Sequence, residues 1–173
     1  MWPNIPMFAL TYPQRISDLV TDMPILERAT VIPDCRPEEV FEFCIDGANF
    51  PKIFPEPVRP VGNINIADLR IEQGREFQFW HWMFWCFPVK WRVRIAEVKP
   101  NEYFIDEMLS GPMKSIRQQH IVSSVPGGTL YTDRFTYGAI GGRFTEFLFV
   151  DRYMARIFDA RHRNMLMLLN NVP

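Results

Sequence analysis

The alternation of apolar and polar positions divides the chain into three kinds of segment. In residues 1–27 neither helical nor strand periodicity survives, because Pro3, Pro6, Pro13 and Pro24 interrupt it, and only residues 16–20 have room for a helical turn. They are expected to form an N-terminal extension to a single domain spanning residues 28–173. A first strand is expected at 28–32, ending at Pro33-Asp34. Pro37 suits a first helical position and Glu38 and Glu39 suit a first turn, which predicts a helix through Asp46 that buries Val40, Phe41, Phe43 and Cys44. Residues 49–54 predict a second, shorter helix stopped by Pro55 and Pro57.

From residue 58 the pattern changes to six extended runs at 58–64, 75–84, 89–98, 103–109, 114–123 and 129–137. Gly62, Gly74, Pro88, Pro100-Asn101, Gly111-Pro112 and Pro126-Gly127-Gly128 punctuate them. Short links between consecutive runs predict an antiparallel meander. Residues 144–169 then contain no Gly or Pro and place Phe147, Val150, Met154, Ile157, Phe158, Met165 and Leu168 at three- and four-residue steps. That spacing predicts one amphipathic helix of about 25 residues, roughly 37 Å long. The fold class is α+β.

Composition narrows the function classes. The formal net charge is −1, with 19 Lys and Arg against 20 Asp and Glu, which gives no electrostatic footprint for a phosphate backbone. No nucleic-acid partner is expected. Polar residues interrupt every apolar stretch before 18 positions are reached, so no transmembrane segment is expected, and the unpunctuated basic start of a signal peptide is missing from MWPNIPMFAL. A cytoplasmic location follows as the expectation. Cys35, Cys44 and Cys86 have spacings that match neither a redox pair nor a zinc set, and read as buried reduced thiols. No metal is expected. The glycine pairs 127–128 and 141–142 lack the spacing of a phosphate loop, and no GxSxG elbow occurs, so neither a cofactor nor nucleophilic hydrolysis is expected.

One compositional feature stands apart. Of 25 aromatic residues, eight fall between Phe77 and Trp91, and these eight include four of the five Trp. The run Phe77 to Phe87 reads as one strand with large side chains on both faces, so one set faces inward and the other needs a cover. The N-terminal extension and a second copy of the chain, as a homodimer through this strand, are the two candidate covers.

The order of elements, with Pro37-Glu-Glu-Val-Phe41, Phe87-Pro-Val-Lys-Trp91, Phe104-Ile-Asp106, Gly111-Pro112, His120, Gly127-Gly-Thr129, Asp133 with Tyr137, and Phe158 with Arg161, resembles the helix-grip proteins of the SRPBCC superfamily. These are START-type and pollen-allergen-type ligand binders, and the resemblance is to their polyketide-cyclase/dehydrase-like branch. It covers residues 28–169. The family's Trp and two His on the sixth strand correspond here to Ile116, Gln118 and His120, so one of the three positions matches. The resemblance implies a curved antiparallel sheet of about seven strands wrapped around the C-terminal helix, two short helices after the first strand, and a cavity between sheet and helix.

With that fold as guide, two-residue periodicity assigns the cavity lining: Trp91 and Val93; Phe104, Asp106 and Met108; Ile116, Gln118 and His120; Tyr131, Asp133, Phe135 and Tyr137. Met154, Phe158 and Arg161 line it from the helix. Such a wall, apolar with a few polar groups, suits a small hydrophobic molecule such as a lipid, a polyketide or an isoprenoid-like compound. The alternative is a cyclase, aromatase or dehydratase in which His120, Asp106, Asp133 and Tyr137 move protons, His120 being the best placed by its ordinary pKa of about 6.5. A third reading is an interaction module built on the aromatic strand. His81 and His162, without acidic neighbours at a useful spacing, read as surface or rim residues.

Overall fold

The structure is a computed structural model that describes residues 23–65, 68–138, 140 and 150–170. Strand β1 spans Ile25–Pro33 and begins three residues before the expected start. Helix α1 (Pro37–Ile45) follows, with Pro37 at its first position, and the Arg36 N–H donates to the Glu39 carboxylate at 2.8 Å. Val40, Phe41 and Ile45 form its buried face. Asp46 accepts from the Ala48 N–H at 2.9 Å and starts a 3₁₀ turn at Gly47–Asn49, which continues into the one-turn helix α2 (Phe50–Ile53).

Strands β2 (Val58–Pro60), β3 (Glu76–Met83), β4 (Phe87–Lys99), β5 (Tyr103–Ser110), β6 (Ser115–Val125) and β7 (Gly128–Gly138) complete one antiparallel sheet in the order β1-β7-β6-β5-β4-β3-β2. The first run is shorter than expected, because Pro60 withholds an N–H and Gly62 turns away at φ 86°. Two register shifts between β4 and β5, at Arg92/Val93 and Ile95/Glu97, add the bends that curl the sheet. Helix α3 (Asp151–Asn170) packs on the concave face through Met154, Ile157, Phe158, Arg161, His162 and Met165. Of the expected helix at 144–169, residues 144–149 lie outside the described residues. The arrangement is the helix-grip fold, and no helix among the described residues is long and apolar enough to cross a membrane.

The aromatic run corrects one expectation. It is a hairpin, not one strand: β3 ends at Met83, Phe84-Trp85-Cys86 form the turn, and Phe87 opens β4. Along β3 the burial alternates, with Phe77, Phe79, His81 and Met83 partly or fully buried and Glu76, Gln78 and Trp80 exposed. Phe84 and Trp85 in the turn, and Phe87 at the first position of β4, are all more than half exposed at this end of the hairpin. The turn also exposes Cys86, against the expectation that all three cysteines are buried; Cys35 and Cys44 are half-buried. A cover by the N-terminal extension concerns residues 1–22, which lie outside the described residues.

Candidate functional site

Two apolar clusters make up the core, and a polar layer separates them. One cluster holds Ile32, Val40, Phe41, Phe104, Val122, Tyr131 and Met165. The other holds Ile116, Phe135, Tyr137, Met154 and Phe158. Between them, at one level on four neighbouring elements, lie Asp106 on β5, Gln118 and His120 on β6, Asp133 on β7, and Arg161 and His162 on α3. Each buried charge must find a partner, since an unpaired one is strongly disfavoured.

Asp133 is the hub of this layer. One carboxylate oxygen accepts from Gln118 Nε2 at 3.0 Å and from the Tyr131 hydroxyl at 3.0 Å, and lies 2.7 Å from His120 Nδ1, which is itself hydrogen-bonded to the Tyr131 oxygen at 2.7 Å. The other lies 3.1 Å from His162 Nε2 and 4.0 Å from Arg161 Nη2. Burial opposes ionisation of Asp133, but Arg161, His120 and the hydrogen bonds from the two histidines together hold its carboxyl well below the usual carboxylate range. His120 also meets Asp106 through Nε2 at 2.9 Å, so both ring nitrogens face carboxylates. Burial disfavours its charged form, yet Asp133 and Asp106 outweigh burial and raise its pKa. The charged form of the ring is thus favoured by a carboxylate at each nitrogen. Thr30 Oγ1 fixes the second ring nitrogen of His162 at 2.8 Å, and His162 is thus a core residue and not the rim residue expected, because its acidic partner comes from a distant strand.

A cavity of about 470 Å³ lies between this layer, the sheet and α3. Of the expected lining, Trp91, Val93, Phe104, Asp106, Ile116, Gln118, His120, Tyr131, Phe135, Met154, Phe158 and Arg161 border it. Three residues do not. Asp133 sits behind Gln118 and His120, Tyr137 is buried beside Phe135 with its hydroxyl on Asp151, and Met108 packs partly buried against the Phe135 cluster. Arg161 stands out on the wall: its Nε is buried without a partner, and its 4.0 Å approach to Asp133 is too long for a hydrogen bond. The guanidinium instead lies over the Phe158 ring at 5.5 Å.

Helix α2 and the stretch around Leu69 and Ile71 also border the cavity. Two backbone bonds clip that stretch to the end of α1, Gly47 N to Leu69 O at 2.7 Å and Ile71 N to Ile45 O at 2.8 Å. A Cβ at position 47 would lie 2.4 Å from Leu69 O, so only glycine permits the clip. Gly47→Ala is expected to destabilise the protein by about 1–3 kcal/mol, read by denaturant titration, with faster hydrogen exchange at Gly47 and Ile71 than elsewhere.

A second polar group was not legible as a site in the sequence. His81 is 2% exposed and borders the cavity, against the expectation of a surface residue. Its Nε2 lies 2.7 Å from a carboxylate oxygen of Glu56, itself 3% exposed. Glu56 also accepts from the Tyr153 hydroxyl at 2.5 Å, Arg156 Nη2 at 2.8 Å and the Phe84 N–H at 3.2 Å. The last bond holds the hairpin turn, where Phe84 and Trp85 adopt φ of 52° and 66°, values that bulky side chains resist. Burial lowers the pKa of His81 despite Glu56. Its Nδ1 is buried and unpartnered, as is Nε1 of Trp91, whose ring lies 6.2 Å from the imidazole. An unpartnered buried polar atom costs about 1–3 kcal/mol. The one sequence signal was that His81 shares the inward phase of Phe77 and Phe79; Glu56, 25 residues earlier between two prolines, gave none.

No protein-family model and no curated protein matches the chain. Solved structures do. A START superfamily protein from Mycobacterium smegmatis superposes with a TM-score of 0.65 at 9% identity, over 86% of this chain and 99% of that one. A protein from Rhodobacter sphaeroides gives 0.67 at 13% identity, over 86% and 94%. The di-domain aromatase/cyclase BexL of the BE-7585A biosynthetic pathway gives 0.64 at 20% identity, over 86% of this chain and 48% of that one. The fold of this chain is thus the one shared by START-type and aromatase/cyclase-type proteins.

Proposed function

We propose that this protein binds a small hydrophobic molecule, such as a lipid, a polyketide or an isoprenoid-like compound, in the cavity between the sheet and α3. The observation that carries the reading is the 470 Å³ cavity, apolar over most of its wall, into which Arg161 brings a guanidinium whose Nε has no partner. The size falls within the range of small-molecule sites, and a few polar groups on an apolar wall are what such sites use to orient a ligand. An acceptor oxygen on the ligand is the natural partner of Arg161, because the guanidinium only donates. His120 is poorly suited to proton transfer with a ligand, since both its nitrogens are engaged by Asp106, Asp133 and Tyr131.

Native mass spectrometry of gently purified protein is expected to reveal a noncovalent apolar adduct that organic extraction removes. Val93→Trp, which fills part of the cavity from a half-buried wall position, is expected to lower the affinity for the apolar dye N-phenyl-1-naphthylamine at least tenfold. Unchanged dye binding in that variant, with no adduct in the native spectrum, would refute the reading.

A further inference from the structure

The geometry points to a hydroxyl-binding position on the cavity wall formed by His81 and Trp91, at the opposite end of the bound molecule from Arg161. It rests on the cavity-binding reading above and specifies a chemical class for the ligand. Glu56 fixes the tautomer: with a carboxylate accepting at Nε2, the imidazole proton sits on Nε2, and Nδ1 is left with its lone pair. Neutral His81, favoured by burial, keeps that lone pair available. Trp91 Nε1 is a donor only. The two unpartnered atoms are thus an acceptor and a donor, on rings whose centroids are 6.2 Å apart, and the proposed position is that of one oxygen set about 3 Å from each nitrogen.

An alcohol or phenol oxygen satisfies both at once, donating to His81 and accepting from Trp91. A carbonyl or an ether satisfies only Trp91, and a methyl group neither. The imidazole is held rigidly for this task, for Phe54 packs edge-on at 4.9 Å and Glu56 is in turn tied to Tyr153 on α3. Tyr153 and Arg161 are eight residues apart on that helix, about 12 Å at 1.5 Å per residue, which sets the approximate spacing of the two polar ends. The ligand is accordingly an elongated apolar molecule with a hydroxyl at one end and an acceptor oxygen at the other.

Three probes of one shape separate these chemistries: 2-naphthol donates and accepts, 2-methoxynaphthalene only accepts, and 2-methylnaphthalene does neither. Calorimetric titration of the intact chain is expected to show 2-naphthol binding about five- to tenfold more tightly than the other two. His81→Phe is expected to erase the preference over 2-methoxynaphthalene, to reduce that over 2-methylnaphthalene, and to leave 2-methylnaphthalene itself within about twofold. Trp91→Phe, which removes the indole N–H and keeps an aromatic ring, should reduce the preference without touching the Glu56 network. If 2-methylnaphthalene binds and 2-naphthol gains nothing, or if the gain survives in both variants, the hydroxyl position is wrong and the cavity reading stands. If none of the three binds, the cavity reading itself fails and takes this one with it.

Discussion

Replacing Asp133 with Asn is expected to destabilise the protein by about 3–5 kcal/mol, the usual cost of leaving a buried charge without its partner. The substitution keeps the shape of the side chain but removes the counter-ion shared by His120 and Arg161. For a chain of 173 residues this corresponds to a fall in Tm of about 6–20 °C, measurable by calorimetry. The pH dependence gives the effect a signature. The folded-state pKa of Asp133 is depressed, so its contribution is present above the unfolded value of about 3.9 and is lost as pH falls through the folded value. That of His120 is raised, so its contribution is complete below about pH 6.5 and is lost as pH rises through the folded value. The gap between wild type and Asp133→Asn should therefore be widest between about pH 4 and 6.5 and should close under strong acid. A gap that stayed constant into strong acid would mean that the charge of Asp133 is not what holds the layer.

Phe158→Ala is expected to cost about 3 kcal/mol or more in denaturant titrations. Phe158 is 1% exposed, packs against Phe135 with ring centroids 5.3 Å apart, and carries the guanidinium of Arg161 on its face. Its loss differs from an ordinary core truncation because the space opened joins an existing cavity. An apolar molecule present at 100 times its Kd should then restore about 2.7 kcal/mol, by mass action. Bulkier apolar probes should gain affinity relative to wild type, and if they recover no stability in Phe158→Ala, the void is not continuous with the cavity.

Much of the fold was legible in the residues because its signals are local. Pro37 with two acidic neighbours marks a helix start, turn glycines and prolines mark strand ends, and two-residue alternation names one face of each strand. With the helix-grip resemblance as the guide to which face looks inward, that alternation assigned Phe104, Asp106, Gln118 and His120 to the cavity side of β5 and β6, and in the structure they border the cavity. What escaped was whatever depends on pairing across the chain. His81 and Glu56 are 25 residues apart, and His162 and Asp133 are 29, so no spacing rule joins them. The aromatic run was misread for a related reason. Phe84 and Trp85 lack the Gly or Asn that ordinarily announces a tight turn, and the bond from Glu56 that steadies this one comes from outside the hairpin.

The polar layer also acts as a registration mark. Strands β6 and β7 pair so that His120 stands opposite Asp133, with Ile116 opposite Tyr137 and Val122 opposite Tyr131. Sliding one strand past the other by two positions would keep every inward side chain inward, so apolar burial alone scarcely distinguishes the two alignments. In either slipped alignment His120 would stand opposite Tyr131 or Phe135, and a buried imidazolium and carboxylate would lose each other. The charges that separate the two halves of the core thus select one alignment from several that are nearly as well buried, and the cavity inherits its shape from that choice.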